Sequence, residues 1–137
     1  MTPFHVFGVL TIIAVKKYDI IKPGGSLTLT SGTAGIKPGK GAATGGALNG
    51  GVLSLTKGLA ADLSDKRIRV NVVVPGLVKT ELWGKLGQTE EQQKQTFEKT
   101  ELPVGFVATP DDIAEAYLYL ARAEYATGTS IEIGEYR

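Results

Sequence analysis

Apolar positions along this chain alternate between two spacings. Phe4, Phe7, Leu10, Ile13 and Ala14 recur at helical intervals and predict a packed helix over 4–18. Lys16 and Lys17 sit near its end, where positive charge suits the carbonyl end of a helix. After the turn Lys22-Pro23-Gly24-Gly25, the stretch SLTLT (Ser26 to Thr30) alternates and predicts a short strand. The glycine-rich loop SGTAGIKPGKG follows. Leu48, Val52, Leu55, Leu59 and Leu63 then form an apolar stripe, predicting an amphipathic helix over about 43–63. IRVNVVV (Ile68 to Val74) is β-branched with almost no polar alternation, as expected of a strand buried on both faces of a parallel sheet. Pro75-Gly76 stops it. Gln88 to Thr100 is polar almost all round and predicts an exposed helix, with Thr89 and Gln92 spaced for a capping box. Thr109-Pro110-Asp111-Asp112 starts a further helix, with Thr as N-cap, Pro first and acids in the first turn. Its buried face is Ile113, Ala116, Tyr117 and Leu120. Thr127-Gly128 breaks it, and TSIEI (Thr129 to Ile133) is a last strand.

Helix and strand thus alternate three times. That order predicts an α/β fold with a parallel sheet and right-handed crossovers. Three parallel strands lack the neighbours such a sheet needs on both edges. The expectation is therefore the C-terminal half of a Rossmann-like doubly wound parallel sheet. Residues 1–137 form one partial domain, without repeats or low-complexity tracts.

Composition narrows the chemistry. Fifteen basic and fourteen acidic residues leave a net charge of +1, with no basic surplus for nucleic acid. Lys66-Arg67-Ile68-Arg69 reads as a solvated strand entry. There is no cysteine, which excludes disulfides and thiolate metal sites, and His5 is the one histidine. A histidine zinc site and a Ser-His-Asp triad are not expected, so no metal is predicted. The apolar run Pro3 to Val15 is too short for a bilayer and lacks the features of a signal peptide. The expectation is a cytoplasmic protein without a membrane segment.

Ile68-Arg69-Val70-Asn71 followed by Pro75-Gly76-Leu77-Val78-Lys79-Thr80 is the most specific signal. It resembles the IRVN-x-x-x-PG-x-x-x-T segment of the short-chain dehydrogenase/reductase superfamily. GGSLTLTSGTAG resembles the strand and loop before that family's active site, and TPDDIAEAYLYLA with TGTSIEI resembles its last helix and strand. The resemblance covers essentially the whole chain but only the C-terminal half of a family member. It implies an NADP- or NAD-dependent oxidoreductase of a small organic carbonyl, alcohol or imine. The Pro75-Gly76 turn would then lie under the nicotinamide, the Val78 backbone would meet the carboxamide, and Thr80 would bond the carboxamide or pyrophosphate. Without the resemblance, Thr80 reads as a helix cap. The family's glycine-rich phosphate loop has no counterpart before Ser26, so the half holding adenosine and pyrophosphate is expected to be missing and the chain truncated.

In the family a Tyr and a Lys four residues on open the second helix, and a Ser lies thirteen residues before the Tyr. Tyr is the general acid/base, Lys lowers its pKa and bonds the ribose, and Ser holds the substrate oxygen. Those positions fall on Gly45, Asn49 and Gly32. No tyrosine lies between Tyr18 and Tyr117, so shifting the alignment restores nothing. The resemblance therefore implies a degenerate relay. Ser31, Thr33 and Thr44 are candidate substitutes, and Asn49 a candidate cofactor contact. Lys40 is a conceivable proton donor. A substrate needing hydride alone, such as an iminium ion, would need no Tyr, as is thought for some divergent fungal members of alkaloid pathways.

Interior helical glycine costs roughly 1 kcal/mol relative to alanine, so Gly45, Gly46, Gly50 and Gly51 need a reason. One is close packing of this helix on another helix or a partner subunit. The other is a pocket hollowed where Tyr once stood. Leu82 and Trp83, with the 88–100 helix, are candidates for a lid over a small-molecule substrate, and Trp83 reads equally as packing. A homodimer or homotetramer through helices 4–18 and 44–63 is expected. Two readings of another class remain. One is a non-catalytic binding or dimerisation module, a pseudoenzyme. The other is a phosphate loop at Ala34 to Lys40, which lacks the following Ser/Thr and has Pro38 in place of one amide.

Overall fold

The computed structural model describes residues 10–134. Three strands, β1 (Ser26–Thr30), β2 (Arg69–Pro75) and β3 (Ser130–Ile133), form one sheet in the order β1-β2-β3. Both pairings are parallel, with Leu27 opposite Val70 and Val73 opposite Ile131. Between the strands lie α1 (Ala43–Asp62), the short α2 (Leu82–Lys85), α3 (Glu90–Lys99) and α4 (Pro110–Arg122). The alternation and parallel sheet match the expectation.

β2 is the centre. Val70, Asn71, Val72, Val73 and Val74 are fully buried, since the strand is paired on both edges and covered on both faces. Each such valine contributes roughly 2 kcal/mol of burial. On one face Val15, Leu59, Leu63, Ile68 and Val70 pack together. On the other, Val73, Val78, Ile113, Ala116 and Leu120 do so, with Tyr117 and Ile131 at the margin. The predicted inner face of α4 is therefore observed.

Asn71 is the polar residue at the sheet's centre, and its amide is satisfied. Nδ2 donates to Ala126 O at 2.8 Å, and Oδ1 accepts Thr129 N–H at 3.1 Å. Arg69 grips the end of α4, donating to Leu120 O at 2.9 Å, Ala121 O at 3.1 Å and Ala126 O at 3.2 Å. A cation there satisfies the orphan carbonyls and opposes the helix dipole.

Three expectations are corrected. The apolar face of the first helix is not the one its spacing implied. Leu10 and Ile13 are exposed, whereas Val15 is buried and Ile12 packs beside it. Nearly every residue from 9 to 15 is apolar, so periodicity selects no face, and Ile13–Lys17 follow a π-helical turn that departs from 3.6-residue spacing. Phe4, His5 and Phe7 lie outside the described residues. In α1, Leu59 and Leu63 are buried but Leu48, Val52 and Leu55 are half-buried, and Thr56 fills a fully buried position by donating to Val52 O at 2.8 Å. Finally α4 ends at Arg122, before Thr127-Gly128, because Arg69 and Asn71 supply partners for the irregular 123–129 segment.

Candidate functional site

Parallel strands bring their carboxyl ends to one side of the sheet, where the connections leave room for a ligand. At the end of β1, Ser31 N–H donates to Val73 O at 2.9 Å, carrying the strand pairing one residue further. The Ser31 hydroxyl donates to Asn49 O at 2.9 Å. Asn49 in turn donates from Nδ2 to Gly45 O, one helical turn back, at 2.8 Å. A Cβ on Gly32 would lie 3.3 Å from Asn49 Oδ1. The structure therefore brings Ser31, Gly32, Gly45 and Asn49 together, although Ser31 and Asn49 are eighteen positions apart. Thr33 opens the 3-10 turn Thr33–Gly35 beside them, half-buried, and Thr44 is exposed in the first turn of α1.

The glycines divide by what surrounds them. A Cβ on Gly35 would sit 2.7 Å from the Asn49 carbonyl carbon, and one on Gly46 2.9 Å from Ala34 O. The 33–35 turn thus lies on the backbone of α1, and its own loop is the tightly packed partner there. Around Gly45 and Gly51 a Cβ would meet nothing within 4 Å. Gly45 leaves open space at the position where the family resemblance puts Tyr.

The turn after β2 closes the other side. Gly76 N–H donates to Ile133 O at 2.9 Å, and Gly134, at φ 101°, lies so close that its Cβ would be 3.1 Å from Gly76 N. Val78 forms a parallel bridge with Ala108, and its carbonyl accepts the Trp83 indole N–H at 2.7 Å. The packing role of Trp83 is thus visible. The Thr80 hydroxyl accepts Leu82 N–H at 3.3 Å, in the turn that leads into the short helix α2, whose N-cap is Glu81 rather than Thr80. A cleft of about 720 Å³ opens here, lined by Lys79, Thr80, Leu82, Gln93, Phe97 and others. Gln93 and Phe97 were not foreseen individually. The signal for Phe97 was there, since it is the aromatic residue of an otherwise polar helix.

Among the titratable groups beside this region, Asp112 is perturbed. Thr109 N–H donates to Asp112 Oδ2 at 2.7 Å and the Thr109 hydroxyl at 2.8 Å. These bonds, the backbone one first, hold the carboxyl below the usual carboxylate range. The side chains of Ser31, Thr33, Thr44 and Asn49 carry no charge near pH 7.

The phosphate-loop reading finds no cradle. Gly35, Ile36 and Lys37 donate their amides to Gly32 and Thr33 carbonyls, and Ala42 donates to Gly39 O, so these amides are used within the loop. Among the described residues there is no cluster of metal-ligating side chains, and no helix is long and apolar enough to cross a membrane.

Residues 5–134 match a family model described as enoyl-(acyl carrier protein) reductase. The short-chain dehydrogenase/reductase malC of Malbranchea aurantiaca is 40% identical over 119 residues, which is 86% of this chain and 44% of that protein. A solved small-chain dehydrogenase in complex with NADPH is 37% identical, with a TM-score of 0.83 over 93% of this chain and 56% of that one. The structure of the MalC reductase/Diels-Alderase from the same fungus is 38% identical, with a TM-score of 0.68 over 83% and 43%. The chain spans about half the length of the curated relatives it matches.

Proposed function

Because the chain belongs to the short-chain dehydrogenase/reductase family, we propose that it forms the nicotinamide and substrate end of an NADP(H)- or NAD(H)-dependent site that reduces a cationic C=N substrate. The observation that carries this reading is the neutral arrangement of Gly32, Gly45 and Asn49, with open space at Gly45. These residues fit the nicotinamide end of the cofactor. Bound there, the cofactor supplies a hydride. Pro75, Gly76, Val78, Thr80 and Asn49 are its contacts in this reading, the Thr80 hydroxyl retaining capacity to bond a carboxamide.

A ketone needs a proton as well as a hydride. An iminium ion needs only the hydride and leaves as a neutral amine. A lysine at position 49 would repel such a cation by about 3 kcal/mol at roughly 6 Å and an effective dielectric of about 20. Asn49 removes that charge, and its Oδ1 is an acceptor facing Gly32. Leu82 and Phe97 supply apolar contact for the substrate in the cleft that Thr80 also lines. The reductase named for the Malbranchea relative agrees in kind with this chemistry.

A second reading is a non-catalytic dimerisation module. It is favoured by the exposed stripe Ala47, Gly51, Ser54 and Gly58 on α1, where Gly51 and Gly58 would carry a Cβ into open space. A homodimer through this helix and the 4–18 helix would cover that face.

One experiment separates the two readings. The purified chain is titrated with NADPH and NADH, following nicotinamide fluorescence, with far-UV circular dichroism on the same sample. A cyclic iminium ion and the matching ketone are then offered. Saturable binding is expected, with iminium reduction at least about a hundredfold faster than ketone reduction, since a positioned proton donor contributes about 10² to 10⁴. Comparable ketone turnover sinks the first reading. A folded chain that binds neither nucleotide, yet sediments as a dimer that Gly51→Leu dissociates, establishes the second.

A further inference from the structure

At the opposite end of the sheet, where the strands begin, a second cleft of about 730 Å³ lies between the starts of β2 and β3 and the end of α4. Its polar lining is Ser64, Arg67, Arg69, Arg122, Glu124 and Thr127. Its volume falls in the range of small-molecule sites, about 300–1,000 Å³. Seven-residue β2, rising about 3.3 Å per residue, separates it by roughly 20 Å from the turn at Pro75-Gly76.

The charge here is one-sided. Three guanidinium groups against one carboxylate leave two positive charges (3 − 1). Arg69 is committed, since two carbonyls at the end of α4, Leu120 and Ala121, and that of Ala126 in the following segment take its N–H groups. Arg67 and Arg122 are not. Both are exposed, and none of the described ion pairs involves either, whereas the neighbouring Lys66 is paired with Asp19. Arg67 also adopts φ 54° and ψ 32°, a left-handed conformation that glycine or asparagine holds more cheaply. The backbone at that position favours a residue other than the arginine found there.

We infer that this cleft is a binding site for a small anion of the diphosphate type, held by Arg67 and Arg122 over the fixed Arg69. Two free guanidinium forks suit the planar, bidentate recognition of phosphoryl oxygens. Thr127 adds a hydroxyl donor, since its oxygen accepts Val70 N–H at 3.2 Å and its proton has no acceptor among the described residues, whereas the Ser64 hydroxyl is spent on Ala61 O at 2.8 Å. Glu124 opposes the ligand and sets its affinity lower than the arginines alone would. The site lies outside the nicotinamide end and is independent of the reading given for it.

The test is a calorimetric titration of the chain with inorganic pyrophosphate and, separately, with ADP, at low and moderate salt. Saturable binding of one pyrophosphate per chain is expected, weakening as salt rises. Arg122→Gln should weaken it at least tenfold and Glu124→Gln should tighten it. Arg67→Gly is the decisive variant, because it relieves the left-handed backbone. It should raise the thermal midpoint while weakening pyrophosphate at least tenfold, so the loss cannot be laid to unfolding. Equal affinity for ADP and pyrophosphate identifies a free diphosphate as the ligand type, and a tenfold preference for ADP identifies a nucleotide. Absence of saturable binding to the folded chain, or binding unchanged in Arg67→Gly and Arg122→Gln, overturns the proposal.

Discussion

A glycine in this chain has a different meaning at each position, and only its neighbours tell which. Gly35 is pinned between the Asn49 and Gly50 backbones, so Gly35→Ala should destabilise by about 1–3 kcal/mol, an overpacking cost. Gly39, in the same loop, has open space and no left-handed backbone, and Gly39→Ala should stabilise by about 0.5 kcal/mol by restricting the unfolded chain. Urea midpoints of the two variants should move in opposite directions. Asp112 supplies a second residue-scale prediction. Its pKa is depressed in the fold by Thr109, so its contribution is present above the unfolded carboxyl value of about 4 and is lost as pH falls through the folded one. The stability gap between the wild type and Asp112→Asn should therefore be open at pH 7 and shrink toward pH 3. All three residues were visible as types in the sequence. The Thr-Pro-Asp-Asp start was legible because a cap is satisfied within four residues. The contrast between Gly35 and Gly39 was not, because it depends on a helix ten or more residues away.

At the scale of elements, local signals carried most of the assignment. β1 was read at its observed bounds, β2 within one residue, and the polar helix α3 with its Thr89–Gln92 box, closed by bonds of 2.9 and 3.3 Å. The boundary of α4 was misread because tertiary partners decide it. Arg69 and Asn71, some fifty residues earlier, accept the task of ending that helix and starting β3. Asn71→Ala should consequently cost about 1–3 kcal/mol, the penalty of leaving the Thr129 N–H without its buried acceptor. Hydrogen exchange should report the damage at residues 126–131 before it spreads to β1. The first helix was misread for the reverse reason. Its apolar residues are nearly continuous, so the face is chosen by what Val15 and Ile12 meet in the core.

For the whole molecule, the chain exposes 9091 Å², against about 6,900 Å² for a compact monomer of 14.5 kDa. Part of that excess is apolar, including Leu118 and Tyr119 on α4, Tyr125 just after it, and Phe106. Such a surface fits a sheet whose β1 edge is unpaired among the described residues and a proposed partner on α1, and it makes sedimentation the natural companion to the nucleotide titration. The sequence by itself determined the class of fold, the parallel direction of the strands and the family. Those follow from periodicity, turn chemistry and a contiguous motif, all of which are local or linear. Only the tertiary structure decided that the Ser31 hydroxyl bonds Asn49 O, that Trp83 is tied to Val78, and that Arg67 and Arg122 line one cleft. Such meetings are made by strand pairing and helix packing across many residues, and no spacing along the chain encodes them.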